Sequence, residues 1–165
     1  MRYEPEIVEC GEQPYAGVRR RVRRDHFAPV ADRIPELIGW LAARGTEPAG
    51  GPFLRYNVIG TDGELEVEAG VPVAVAPEPE GDVRAGVLPA GRYATLTHVG
   101  HPDELAGVTE ELIAWAGARG LEWDMTEAGD GEHWVGRTET FLTDPRVEPD
   151  LNKWQTRLAI RLADG

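Results

Sequence analysis

One stretch of this chain occurs twice. Residues 36–45 read Glu-Leu-Ile-Gly-Trp-Leu-Ala-Ala-Arg-Gly and residues 111–120 read Glu-Leu-Ile-Ala-Trp-Ala-Gly-Ala-Arg-Gly, identical at seven of ten positions at a shift of 75. Such a repeat restricts the chain to architectures assembled from two copies of one supersecondary unit. Both copies read as helices. In the second, Leu105, Val108, Leu112 and Ala116 recur every three or four residues, Pro102 suits the first turn and Gly120 suits a left-handed stop. In the first, Val30, Ile34, Leu37, Ile38 and Leu41 share a face that ends at Gly45, and Pro35 predicts a kink or a delayed start.

The flanks repeat in kind. A turn-prone stretch, a tyrosine and a strand-like run precede each helix, at 13–18 and 90–96. Two strands should follow each helix: 53–59 and 65–75 around the Thr61-Asp62-Gly63 turn, then 134–142 and 155–162 around a loop containing Pro145 and Pro149. The expectation is an α+β domain in which duplicated strand-helix-strand-strand modules form an antiparallel sheet. Two helices lie on one face, with a ligand cleft between the halves. The modules span 1–77 and 82–165 of a single domain, and residues 78–81 lie in the acidic, proline-bearing connector.

Composition narrows the function classes. At 165 residues with 41% hydrophobic and 28% charged side chains, the chain can bury one globular core. A net charge of −12 argues against direct nucleic-acid binding. One cysteine, Cys10, rules out an intramolecular disulfide framework. The first ten residues lack a signal-peptide layout, and no apolar run reaches the roughly 20 residues of a membrane helix. We expect a cytoplasmic protein with no membrane contact.

Several segments together resemble the GyrI-like small-molecule-binding family. They are Val67-Glu68-Ala69-Gly70-Val71-Pro72-Val73, Leu88-Pro89-Ala90-Gly91-Arg92-Tyr93-Ala94, His98-Val99-Gly100 and Glu139-Thr140-Phe141-Leu142-Thr143-Asp144-Pro145. The resemblance covers nearly the whole chain. It implies paired strand-helix-strand-strand modules around a cleft, as in the effector-binding domains of AraC-type and MerR-type regulators, and ligands that are lipophilic and often cationic. The family's pocket glutamate maps onto Glu139 and its first-half tyrosine onto Tyr56. The sequence departs at Thr138, where many relatives carry an aromatic, and at Phe141, where many carry tyrosine. The chain begins directly in strand-like sequence and ends at Gly165, so we expect a stand-alone member without a helix-turn-helix.

The candidate site residues follow from the residues and the resemblance together. Two-residue periodicity puts Val135, Arg137, Glu139 and Phe141 on one strand face. A carboxylate held there in an aromatic cleft would meet a cation or handle a proton; the bland alternative is a surface glutamate paired with Arg137. Tyr56, Tyr93 and Phe141 offer π faces to a ligand, against ordinary sheet packing as the alternative. Trp134 starts the strand of Glu139 on the opposite parity unless a bulge intervenes. Trp40 and Trp115 read as seals between helix and sheet, while Trp123 and Trp154 fall in loops without an assignment. The basic run Arg19-Arg20-Arg21-Val22-Arg23-Arg24 reads as a solvated patch, with an anion or acidic-partner site as the sharper alternative. His26, His98, His101 and His133 match no metal pattern, Asp130-Gly131 is a turn signal, and Cys10 has no activating partner. No metal or cofactor is expected.

The leading reading is capture of a lipophilic, planar or cationic, drug-like molecule in the cleft, with Glu139 as charge partner and Tyr56, Tyr93, Phe141 and Trp134 as walls. A second is a hydrolase that opens an electrophilic cyclopropane with water, Glu139 being its catalytic residue and a tyrosine its hydrogen-bond donor. A third is a protein-interaction module that inhibits DNA gyrase. Haem binding, by likeness to SOUL-type proteins, stands fourth.

Overall fold

A computed structural model describes residues 4–163; the remaining residues, which include the start of the segment read for a signal peptide, lie outside them. The strands are β1 (Glu6–Cys10), β2 (Gln13–Arg23), β3 (Phe53–Gly60), β4 (Glu64–Pro72), β5 (Arg84–Leu88), β6 (Gly91–Val99), β7 (Met125–Ala128), β8 (Gly131–Trp134), β9 (Arg137–Phe141) and β10 (Gln155–Arg161). The helices are α1 (Ala28–Ala31), α2 (Arg33–Ala43) and α3 (Leu105–Ala118). The fold class is the expected α+β, with an antiparallel sheet ordered β1-β6-β10-β9-β3-β4-β2-β5 and the β7–β8 hairpin attached to β3. None of the described helices is long and apolar enough to cross a membrane.

The helices form where the sequence patterns put them, although Ile38, expected on the apolar face of the first, is exposed. Pro35 falls in the first turn of α2, where its missing N–H costs little, so it delays the helix instead of kinking it. The four residues of α1 stand apart across Asp32. At the other helix start, His101 and Glu104 cap a short 3-10 turn, Pro102–Glu104, that leads into α3. Gly45 and Gly120 adopt the left-handed φ values of 70° and 69° that end each repeated helix. The repeat also preserves a capping contact: Arg44 stacks 3.7 Å from the Trp40 ring centroid, and Arg119 stacks 4.1 Å from that of Trp115. Each arginine also donates to the carbonyl of its tryptophan. Both indoles are half-buried against the sheet cores, as the seal reading expects.

Alternation along the strands gives the sheet an apolar inner face. Val30, Leu37 and Leu41 pack on Ala16, Val18, Leu65, Val67 and Ala69, while Leu105, Val108 and Leu112 pack on Ala94, Leu96, Leu158 and Ile160. Burying each of the valine, leucine and isoleucine side chains contributes roughly 1.5–3 kcal/mol before the cost of ordering the chain. The seam between the two cores is the β3–β9 pairing, where Phe53, Leu54 and Arg55 face Thr140, Glu139 and Thr138.

The expected strand-helix-strand-strand order holds within each half, but the outer strands are exchanged. β1 pairs with β6 of the second half, and β5 pairs with β2 of the first. The strand expected over 134–142 is also divided: Val135 and Gly136 interrupt it, and the β7–β8 hairpin occupies a place for which the first half has no equivalent strands. The basic run is resolved by register. Arg19, Arg21 and Arg23 lie directly across from Glu68, Glu66 and Glu64, so opposite charges face one another on the outer side of the sheet.

Candidate functional site

β9 carries the sequence Arg-Thr-Glu-Thr-Phe, and its pleat decides what enters the cleft. Arg137, Glu139 and Phe141 lie opposite Ile160, Leu158 and Thr156 of β10, so they share the helix-covered face. Across the seam Glu139 faces Leu54, and two residues further along β3 Tyr56 reaches the same spot. The Tyr56 hydroxyl and the Glu139 carboxylate border the same gap, close enough for each to shift the other's proton affinity. Phe27, just before α1, meets the Tyr56 ring edge-on with centroids 6.2 Å apart. Thr109 of α3 closes the other side.

The electrostatics are set by the dryness of this seam. Burial pushes the Glu139 carboxyl above its ordinary value of 4.5, opposed by the neighbouring Tyr56 hydroxyl and the Arg137 charge. Burial and the neighbouring Glu139 charge push the Tyr56 phenol well above 10. Arg137 is pulled down by burial. Its guanidinium lies 4.5 Å from the Trp134 ring centroid and 5.9 Å from that of Tyr56. The gap among Tyr56, Thr109, Arg137, Glu139, Leu158 and Ile160 is about 20 Å3.

The Glu139 shift has a measurable sign. The folded protein binds the Glu139 proton more tightly than the unfolded chain does, so protonation favours folding. Stability attributable to this group therefore falls as pH rises from about 4.5 through the raised value. Glu139→Gln should be more stable than wild type near neutral pH, and the difference should shrink as the solution is acidified. Thermal melts in which that difference does not change with pH would show that Glu139 is not desolvated.

The sequence-selected residues separate in space. Glu139 and Tyr56 meet. Phe141 shares their face but packs on the first core without lining the gap. Trp134 does not keep the opposite parity: the break at Val135 and Gly136 turns it inward, where it joins the second core and supports Arg137 beside Trp123, 6.2 Å away. Tyr93 is not in the cleft. It lies opposite Val8 and Arg161 on the outer face, and its hydroxyl donates to the Pro89 carbonyl at 2.6 Å. Trp154 donates to the Glu148 carbonyl and closes the loop before β10. Phe27 and Thr109 join the site without any signal in the sequence. The parity that picked Glu139 also picked Arg137, but not the aromatic rings that receive it.

Comparison with known proteins agrees with this fold. Residues 3–163 match the GyrI-like small molecule binding domain. No curated protein matches the sequence. Among solved structures, the C-terminal domain of EcmrR superposes with a TM-score of 0.77 at 19% identity, covering 99% of both chains. Against EcmrR in its DNA complex the TM-score is 0.79 at 19% identity, and this chain, 98% covered, spans 58% of that one. SAV2435 bound to tetraphenylphosphonium gives 0.64 at 12% identity, covering 98% of this chain and 95% of that one. A hydrolase from Listeria innocua gives 0.64 at 17% identity, with 97% and 92% covered. The duplicated modules, their shared inner face and the match over nearly all residues place this chain in the GyrI-like small molecule binding domain family.

Proposed function

We propose that the protein captures a planar, lipophilic small molecule in the seam between its halves, with Glu139 as the polar anchor. The observation that carries this reading is the half-buried Glu139–Tyr56 pair, set among apolar side chains where β3 and β9 meet. A half-buried carboxylate answered only by a phenol and a neighbouring guanidinium has given up water, and a ligand that meets it replaces that water. Ligand pockets usually enclose about 300–1,000 Å3, far more than the present gap, so capture requires the helices to move outward from the sheet. The break at Asp32 lets α1, which follows Phe27, move separately from α2. The tetraphenylphosphonium carried by SAV2435, a neighbour of the same fold, supplies a suitable probe. Titrated against it, Glu139→Gln should bind about fivefold or more weakly than wild type; equal affinities would remove Glu139 from the binding role.

The raised Glu139 carboxyl beside a phenol also favours a second reading, hydrolysis of an electrophilic cyclopropane conjugated to a carbonyl. Glu139 takes the proton of a water whose oxygen bonds to a ring carbon. The ring C–C bond breaks, its electron pair moves through the conjugated system to the carbonyl oxygen, and the Tyr56 hydroxyl donates to that oxygen. Mass analysis after incubation with such a compound separates the readings, because turnover adds one water and capture returns the ligand unchanged.

A further inference from the structure

The outer face of the sheet carries a second polar assembly, remote from the cleft side. Tyr15 is 1% exposed and Glu68 7% exposed, although both project from the face that no helix covers. Small residues make this burial feasible. A Cβ on Gly86 would sit 2.4 Å from the Tyr15 ring, and one on Gly70 would sit 2.5 Å from Phe53, so only glycine lets the two rings lie down on the sheet. The rings meet edge-on at 5.1 Å. Tyr15 then donates to Glu68 Oε2 at 2.8 Å, while Asn57 at 2.8 Å and Arg19 at 3.3 Å donate to Oε1. Arg55 donates from Nη1 to the Tyr15 hydroxyl at 2.8 Å and to the Val87 carbonyl, and from Nη2 to the Val135 carbonyl.

A hollow of about 250 Å3 opens over this network, bounded by Arg19, Arg55, Arg84, Asn57, Glu68 and the Tyr15 ring. Its charge is unbalanced. Three guanidiniums face one carboxylate, and both oxygens of that carboxylate are already engaged. Donors remain: the buried Nε of Arg55 has no partner, and the exposed Arg84 guanidinium has none among the described residues. A buried N–H without a partner is destabilising and marks a place where an acceptor belongs. An adjoining hollow of about 280 Å3 shares Arg19 and Arg84 and adds Arg20, Arg21, Glu66 and Asp82. Asp82 is occupied by Arg20 and Arg33.

The geometry points to an anion site on this outer face that takes the phosphate group of a small phosphorylated molecule. Arg19, Arg55 and Arg84 come from β2, β3 and β5, so they approach one point from three strands. That arrangement suits a tetrahedral oxyanion better than a flat carboxylate. The adjoining hollow accommodates the organic remainder. The site gives the arginine run a role beyond the cross-strand ladder, and it needs nothing from Glu139.

Calorimetric titration of the full chain with inorganic phosphate at constant ionic strength tests the assignment. Saturable one-to-one binding is expected, weakened about tenfold in Arg84→Ala and unchanged in Glu139→Gln. Arg84 is exposed, so its removal leaves the packed network in place. Arg146→Ala, which removes the same charge from an exposed loop, should bind as wild type does. Absence of saturation would overturn the site, as would equal losses in Arg84→Ala and Arg146→Ala, or acetate binding as tightly as phosphate.

Discussion

Arg137→Met should bind tetraphenylphosphonium ten- to hundredfold more tightly than the wild-type protein. The wild-type cleft already contains a cation: the Arg137 guanidinium lies over the Trp134 ring and within reach of Tyr56, beside Glu139. A lipophilic cation seeking the same carboxylate and the same π faces meets a like charge. At about 6 Å and an effective dielectric near 20 that repulsion is about 3 kcal/mol, and partial exposure of Arg137 lowers it. Methionine keeps an unbranched apolar stem for Trp134 and removes the charge. Arg137→Lys should gain far less, because the charge remains. Adding Glu139→Gln to Arg137→Met should cancel most of the gain, since the liberated carboxylate provides the attraction. Equal affinities for wild type and Arg137→Met would show that the guanidinium does not compete for the site. On the proposed capture reading, the predicted gain would mean that the wild-type site favours the planar, uncharged part of a ligand over a free cationic head.

The largest effect on stability is expected from Gly131→Ala, with a loss of about 3–4 kcal/mol and a fall in Tm of about 10 °C. Gly131 opens β8 at φ 138°, a conformation L side chains rarely adopt. A Cβ there would stand 2.2 Å from the Ile59 carbonyl oxygen and 2.8 Å from the Gly60 Cα. Both obstacles are backbone atoms of the paired strand, so no rotamer change relieves them. The damage reaches the cleft, because β8 carries Trp134 and Trp134 supports Arg137. Gly129→Ala, two residues earlier in the same hairpin turn, meets nothing within 4 Å and should melt within a degree or two of wild type. Similar melting temperatures for the two variants would rule out a close β3–β8 approach.

The two sites differ in how much of them could be seen before folding. Glu139 was selected by period-two alternation and by its motif, and the β9–β10 register puts it on the helix-covered face. Its contact with Tyr56 was not legible. It depends on β3 and β9 becoming neighbours although 80 or so residues separate them, a non-local pairing that no window of sequence records. Trp134 and Tyr93 show the same boundary from opposite sides. A two-residue irregularity reversed the parity of Trp134, and Tyr93 follows its strand's alternation to the uncovered face.

The outer network was less visible still. Tyr15 and Glu68 look like an ordinary strand tyrosine and a solvated glutamate. Their burial follows from Gly17, Gly70 and Gly86 falling under the two rings on strands β2, β4 and β5. Arg55 carries no signal in the sequence, although two of its hydrogen bonds, to the Val87 and Val135 carbonyls, tie the two halves of this face together.

By itself the sequence determined the duplicated modules, the two helices with their glycine stops and the face on which Glu139 lies. Helical and strand periodicities, caps and turns act over a few residues and are written locally. Tertiary structure alone decided the exchange of β1 and β5 between halves, the closure of the seam around Glu139 and Tyr56, and the gathering of three arginines from three strands. Those outcomes arise when surfaces distant in the chain are buried together, because desolvation and charge then depend on which neighbours arrive and no longer on where a residue stands in the chain.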